Sequence, residues 1–215
     1  MRAIALDFGG HGLSEHRDSY GYSDYDRDLL RVLDELDLDR VTVAGHSLGG
    51  YVALLAATRT DRIAPVLAID VKSDWTDADA ELASRTRDAT QRVEAERTTL
   101  VDRLARTLPP IARDELELIA ERSLERVEGG WRFRWDRRVL ATEPVDPFAF
   151  LPDVKCPVKV IAGADSDVMP PEAARTFANA IPGATLELLD GIGHHVQLEA
   201  PDPVATAIRQ LAGQK

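Results

Sequence analysis

An α/β fold with a mostly parallel sheet covered by helices is the fold class that three features of the 215-residue chain predict. Short apolar runs rich in β-branched residues alternate with stretches of helical periodicity, the pattern of strand and covering helix. The runs are nearly continuous, as in strands buried on both faces. A serine between two glycines stands where one run passes into the next helical stretch.

The runs with strand length are residues 41–44, 66–69 and 158–162, with 184–189 interrupted by a glutamate and a short run at 4–6. Between them lie helical stripes. Leu29, Leu30, Leu33 and Leu36 follow the cap candidate Ser23, and residues 52–57 form a second stripe. Ala174, Phe177, Ala178 and Ile181 form a third, and Val204, Ala207, Ile208 and Leu211 a fourth. The alternation breaks over residues 72–150. There Val93, Leu100, Leu104 and Leu108, then Leu116, Ile119, Ala120 and Val127, predict two helices with no strand between them. Residues 1–71 and 151–215 are therefore expected to form the core, with 72–150 as a helical lid. The lid closes on Trp131-Arg132-Phe133-Arg134-Trp135, an extended segment or turn whose aromatics pack the lid and whose Trp131 and Trp135 can also line a substrate pocket.

Composition excludes several function classes. Acidic residues outnumber basic ones, 37 to 26, and the net charge of −11 repels phosphate backbones and anionic headgroups, so neither nucleic acid nor a membrane is expected as partner. The arginines of residues 74–138 alternate with Asp and Glu, as on solvated helix faces. No run approaches the roughly twenty apolar residues that span a bilayer, and the first residues lack the apolar core of a secretion signal, so a cytoplasmic location is expected. The single cysteine, Cys156, leads into a strand and is expected to be structural. No metal site stands out, and no cofactor is expected: the glycine-flanked turn lacks both the Lys-Ser/Thr ending of a phosphate loop and the dinucleotide-binding pattern.

The chemistry-bearing segment is Gly45-His46-Ser47-Leu48-Gly49, directly after one strand and before one helix. This is the context of a nucleophile elbow, where Ser47 sits on a sharp turn and needs small neighbours, a need met by Gly45 and Gly49. The Leu48 N–H then faces a developing oxyanion at a helix N-terminus. A serine hydroxyl needs a base. The base expected is the histidine of Gly191-Ile192-Gly193-His194-His195, because the loop after the last strand of a parallel sheet opens at the same edge as the elbow. His11, His16 and His46 are read as loop or surface residues, with His46 and Phe8 also placed along a substrate pocket.

These motifs resemble the α/β-hydrolase superfamily over the whole chain: Asp7-Phe8-Gly9-Gly10-His11-Gly12 after an early strand, GHSLGG at the elbow, and the Gly-x-Gly-His loop ending in Leu198-Glu199-Ala200-Pro201. The resemblance implies that His194 is the base and that the acid lies in Gly163-Ala164-Asp165-Ser166-Asp167. Ser166 occupies the commonest acid position. Asp167 is the expected acid by a frequent variant of the motif, with Asp165 and Asp70 as competitors. The resemblance also implies a shortened front end lacking the family's loop that donates the second oxyanion N–H. The expected remedy is that strand 4–6 pairs with strand 41–44 and that Gly9 or Gly10 becomes the substitute donor. The rival explanations are a partner copy completing the sheet edge as a homodimer and an earlier start codon.

The function expected is a serine esterase or thioesterase acting on a small acyl ester or thioester, which a carrier protein can present, through an acyl-enzyme on Ser47. An acyltransferase with a non-water acceptor, and a non-catalytic binding fold, are the alternatives.

Overall fold

The computed structural model describes residues 2–142 and 146–213. The chain divides into two compact units: Met1–Ala3, Asp26–Asp74 and Val145–Lys215 form the first, and Ile4–Tyr25 with Trp75–Pro144 the second. The front segment thus clusters with the helical unit, not with the core as the sequence reading had it.

The first unit holds a four-stranded, wholly parallel sheet in the order β1-β2-β5-β6: β1 Val41–His46, β2 Ile63–Ile69, β5 Val158–Gly163 and β6 Thr185–Leu189. β2 and β5 are central and almost continuously buried, which is why their sequences read as unbroken apolar runs. The helices are α1 (Tyr22–Glu35), α2 (Leu48–Ala57), α6 (Pro171–Asn179), the single turn α7 (Val196–Glu199) and α8 (Pro201–Gly213). α2 is apolar all round and buried from Gly50 to Ala57, as befits a helix inside a core. Val204, Ala207 and Leu211 of α8 pack with Leu67, Ile69 and Ile161 of the sheet. α1 ends one residue before Leu36, expected on its stripe, because Asp37 turns left-handed (φ 47°). Leu38 N–H then donates to the Leu33 carbonyl and Asp37 N–H to that of Asp34, a Schellman ending.

Residues 4–6 form no strand, and among the described residues none pairs with the outer side of β1. Ile4 is 44% exposed. The expected pairing with strand 41–44 is therefore overturned. The run is only three residues long, and the loop after it is held elsewhere: the Gly10 carbonyl accepts from Asp136 N–H, while Tyr20 stacks on Tyr25 and Phe8 packs against the same ring at a tilt.

The second unit carries α3 (Asp77–Thr86), α4 (Arg97–Ala105), α5 (Arg113–Ser123) and the antiparallel hairpin β3 (Leu124–Val127) and β4 (Gly130–Phe133). Of the helices only α4 and α5 were expected, and β4 falls on the segment read as extended or a turn. α3 lacks an apolar stripe, yet Thr76 and Asp79 close a capping box at its start, a Thr-x-x-Asp signal legible in the sequence. Val127 belongs to β3, and Val93 precedes a bridge between Glu94 and Trp131 instead of opening a helix. Gly130 has φ 149°, and a Cβ there would lie 2.1 Å from the Glu94 carbonyl oxygen, so glycine alone fits this crossing. Leu100, Val101, Leu116, Ala120 and Leu124 form this unit's core, against which Trp131 and Phe133 pack. Among the described residues no helix is long and apolar enough to cross a membrane.

Because Leu54 of α2 is fully buried, Leu54→Ala is expected to lower unfolding free energy by about 2–5 kcal/mol in chemical denaturation.

Candidate active site

All strands of the sheet run parallel, so the segments after β1, β2, β5 and β6 emerge at one edge, and each brings a polar side chain. After β1 the chain turns through Ser47 at φ 51° and ψ −118°, a left-handed conformation that costs a serine energy and throws its side chain outward. The turn is fastened by Ser47 N–H donating to the Ile69 carbonyl at 2.8 Å. A Cβ on Gly45 would lie 2.2 Å from the Gly49 carbonyl carbon, and one on Gly50 would lie 2.6 Å from Val71 and 2.7 Å from the Gly45 oxygen. A Cβ on Gly49 would meet nothing within 4 Å. The small residues the elbow requires are therefore Gly45 and Gly50, not Gly49. Leu48 opens α2, where the first N–H groups have no intrahelical partner.

After β2 comes Asp70, completely buried and left-handed at φ 45°. A buried carboxylate needs donors, and three converge on it. Gly163 N–H reaches Oδ2 at 2.9 Å, while Ser166 Oγ–H and His194 Nδ1–H both reach Oδ1 at 2.7 Å. A carboxylate only accepts, so the proton of the neutral His194 ring lies on Nδ1 and the Nε2 lone pair is free to take a proton. Ser166 Oγ in turn accepts from the N–H groups of Val168 and Met169.

The carboxylate on His194 is thus Asp70, not Asp167. Asp167 is exposed, as is Asp165, whose N–H holds the Ile192 carbonyl. The residue of that loop that turns inward is Ser166, which donates to the Asp70 carboxylate at the end of the neighbouring strand. The signal that identifies Asp70 in the sequence is its place at the end of the most buried strand, where a charge is costly without a role.

His46 and His194 join the elbow to the base loop. His46 Nε2–H donates to the His194 backbone carbonyl at 2.8 Å, and the two rings lie 4.5 Å apart. No hydrogen bond joins Ser47 Oγ to the His194 ring among the described residues, a contact that commonly tightens only around a bound substrate. Burial above all, then repulsion from the His194 ring whenever that ring is protonated, pushes His46 down to about 4.

The other expected site residues lie in the second unit. Gly10 N–H donates to the Glu15 carbonyl and is not available to an oxyanion. The Gly9 carbonyl accepts from His11 Nδ1, and a Cβ on Gly9 would strike Arg17. Phe8 packs on Tyr25, Trp131 lies under the Arg97 guanidinium, and Trp135 packs on Phe133. Each is engaged in packing. Among the described residues no three His, Cys, Asp or Glu side chains are grouped to hold a metal ion.

The sequence model of the alpha/beta hydrolase family matches residues 2–207. The chain belongs to the alpha/beta hydrolase family. It is 27% identical over 235 residues to a serine hydrolase-like protein of Danio rerio, covering 96% of this chain and 72% of that one. With the esterase YbfF of Escherichia coli (strain K12) identity is 28% over 217 residues, covering 96% and 81%. Among solved structures, an E-2-(acetamidomethylene)succinate hydrolase superposes with a TM-score of 0.84 over 95% of this chain and 79% of that one, at 24% identity, a likeness of fold.

Gly45→Ala is expected to cost about 3 kcal/mol or more because the added methyl meets backbone. Gly49→Ala should stay within about 1 kcal/mol of wild type, on the favourable side, since alanine is the better helix former. Thermal denaturation of both variants checks this. A second outcome concerns acid. The folded-state pKa of His46 lies below its ordinary 6.5, at about 4, so the unfolded chain binds a proton at a pH where the folded one does not. His46's contribution is whole above pH 6.5 and is lost as pH falls towards 4, to the extent of about 2–3 kcal/mol. Unfolding free energies of wild type and His46→Gln at neutral and mildly acidic pH should differ by that margin in their pH dependence.

Proposed function

We propose that the protein is a serine acyl hydrolase, an esterase or thioesterase, that works through an acyl-enzyme on Ser47. The observation that carries this reading is the buried Asp70 carboxylate bonded at 2.7 Å to Nδ1 of His194, whose loop is hydrogen-bonded to His46, the residue before Ser47.

In the reaction, Ser47 Oγ attacks the acyl carbonyl carbon while His194 Nε2 takes the hydroxyl proton. Asp70 keeps the ring in its tautomer and stabilises the imidazolium. The carbonyl oxygen becomes an oxyanion facing the Leu48 N–H at the start of α2, where the helix dipole favours negative charge. Collapse breaks the bond to the alkoxide or thiolate, which leaves with the proton from His194. Water then adds to the acyl-enzyme, giving its proton to the same nitrogen, and the acid departs as Ser47 recovers its hydrogen. The esterase name of the Escherichia coli relative supports an ester substrate.

A fluorophosphonate probe should label the wild-type protein on Ser47 and leave Ser47→Ala unlabelled. Against a panel of acyl esters and acyl thioesters, Ser47→Ala and His194→Ala should lower kcat/KM by at least about 10³-fold, and Asp70→Asn by about 10⁴-fold. Asp167→Asn should match wild type. An unlabelled wild type, or an Asp167→Asn variant as impaired as Asp70→Asn, would overturn the reading.

A further inference from the structure

We propose that His46 is a positioning residue that clamps the base loop to the nucleophile elbow through its Nε2–H bond to the His194 carbonyl. This rests on the serine-hydrolase reading of Ser47 and His194 and deepens it.

The sequence treats His46 as a pocket or surface residue, but its ring is half-buried and occupied on both nitrogens. Nε2 lies 2.8 Å from the backbone oxygen of His194, a group that only accepts, so Nε2 carries the proton. Nδ1 is then the acceptor, and Gln197 Nε2–H stands 3.4 Å from it. No backbone N–H reaches the His194 carbonyl among the described residues, whereas the next carbonyl, that of His195, serves the turn of α7. His46 therefore satisfies the one carbonyl of the base itself that the local backbone leaves over.

The connection is short. His46 is covalently next to Ser47, so this single bond spans the 148 residues between elbow and base with no other side chain between them. Its ring also lies against that of His194, with centroids 4.5 Å apart at a 45° tilt, which limits rotation of the base about its side-chain bonds and keeps Nδ1 on Asp70. Two degrees of freedom of the base, where its backbone stands and how its ring turns, are thus held by the residue preceding the nucleophile. A misplacement of about 1 Å between reacting groups is enough to cost 10²-fold in rate.

The charge state matters as well. The ionisable groups facing His46 are His194 and His195, whose ring centroid is 5.7 Å away, and Asp70, whose charge is already committed to three donors. The amide of Gln197 is neutral. Held neutral by burial, His46 presents no second positive charge when His194 takes the serine proton. A protonated His46 would repel the imidazolium and oppose the step.

The test measures the second-order rate of fluorophosphonate labelling of Ser47, and kcat and KM on an ester that the wild type turns over, in His46→Phe and His46→Gln. His46→Phe keeps a flat ring and loses the donor. His46→Gln carries an amide N–H at the distance of Nε2. The expected result is a labelling rate and kcat lowered about 10- to 100-fold in His46→Phe with KM little changed, and most of the rate restored in His46→Gln. Melting temperatures at neutral pH separate this from general loss of folding: if His46→Phe unfolds, the His46→Gln and His46→Leu pair repeats the comparison. Labelling of His46→Phe at the wild-type rate, or equal impairment of the donor-bearing and donor-lacking variants, would overturn the clamp while leaving the hydrolase reading intact. A wild type that never reacts would instead overturn the reading of Ser47 on which the clamp rests.

Discussion

A single buried oxygen organises this molecule. Asp70 Oδ1 accepts hydrogen bonds from His194 Nδ1–H and Ser166 Oγ–H, each at 2.7 Å, while its companion oxygen accepts from the Gly163 N–H. A carboxylate with no solvent exposure carries a desolvation cost that only fixed donors offset, so the end of β2, the loop after β5 and the histidine loop after β6 must all be in place together. The parallel order of the sheet makes that convergence possible, because it opens all three loops at one edge. What stabilises the charge also orients the His194 ring.

The elbow shows how local strain is sustained by tertiary contact. A serine at φ 51° is unfavourable in isolation. It persists because its N–H is anchored to Ile69 on the adjacent strand, and because Gly45 and Gly50 let two stretches of backbone approach where any side chain would intrude. The helix that follows is buried from Gly50 to Ala57, which fixes the turn that leads into it.

The second unit is built on different terms. Its core is small, Leu100, Val101, Leu116, Ala120 and Leu124 with the hairpin aromatics laid over them, and its surface is dense with ion pairs such as Arg97 with Glu117, Arg103 with Glu94, and Arg132 with Glu125. Solvent screens pairs of this kind, so each contributes little to stability. The glycine loop near the N-terminus belongs to this unit, fastened through Tyr20, Arg138 and Asp136.

The amino-acid sequence by itself determined the parallel sheet, its four strands and the helices that cover them, and it singled out the segments that carry Ser47 and His194, because hydrophobic periodicity and the glycine-flanked turn are local properties that need no knowledge of distant residues. It did not determine which carboxylate meets the base. Asp70, Asp165 and Asp167 each lie just past an apolar run, and although the most buried run leads to Asp70, only the packing of β2 between β1 and β5 shows that this carboxylate is buried while the others are exposed. The same reason separates Gly50 from Gly49, removes residues 4–6 from the sheet and turns His46 from a presumed lining residue into a link between elbow and base: each depends on which backbone comes close in three dimensions, and short-range pattern carries no record of that.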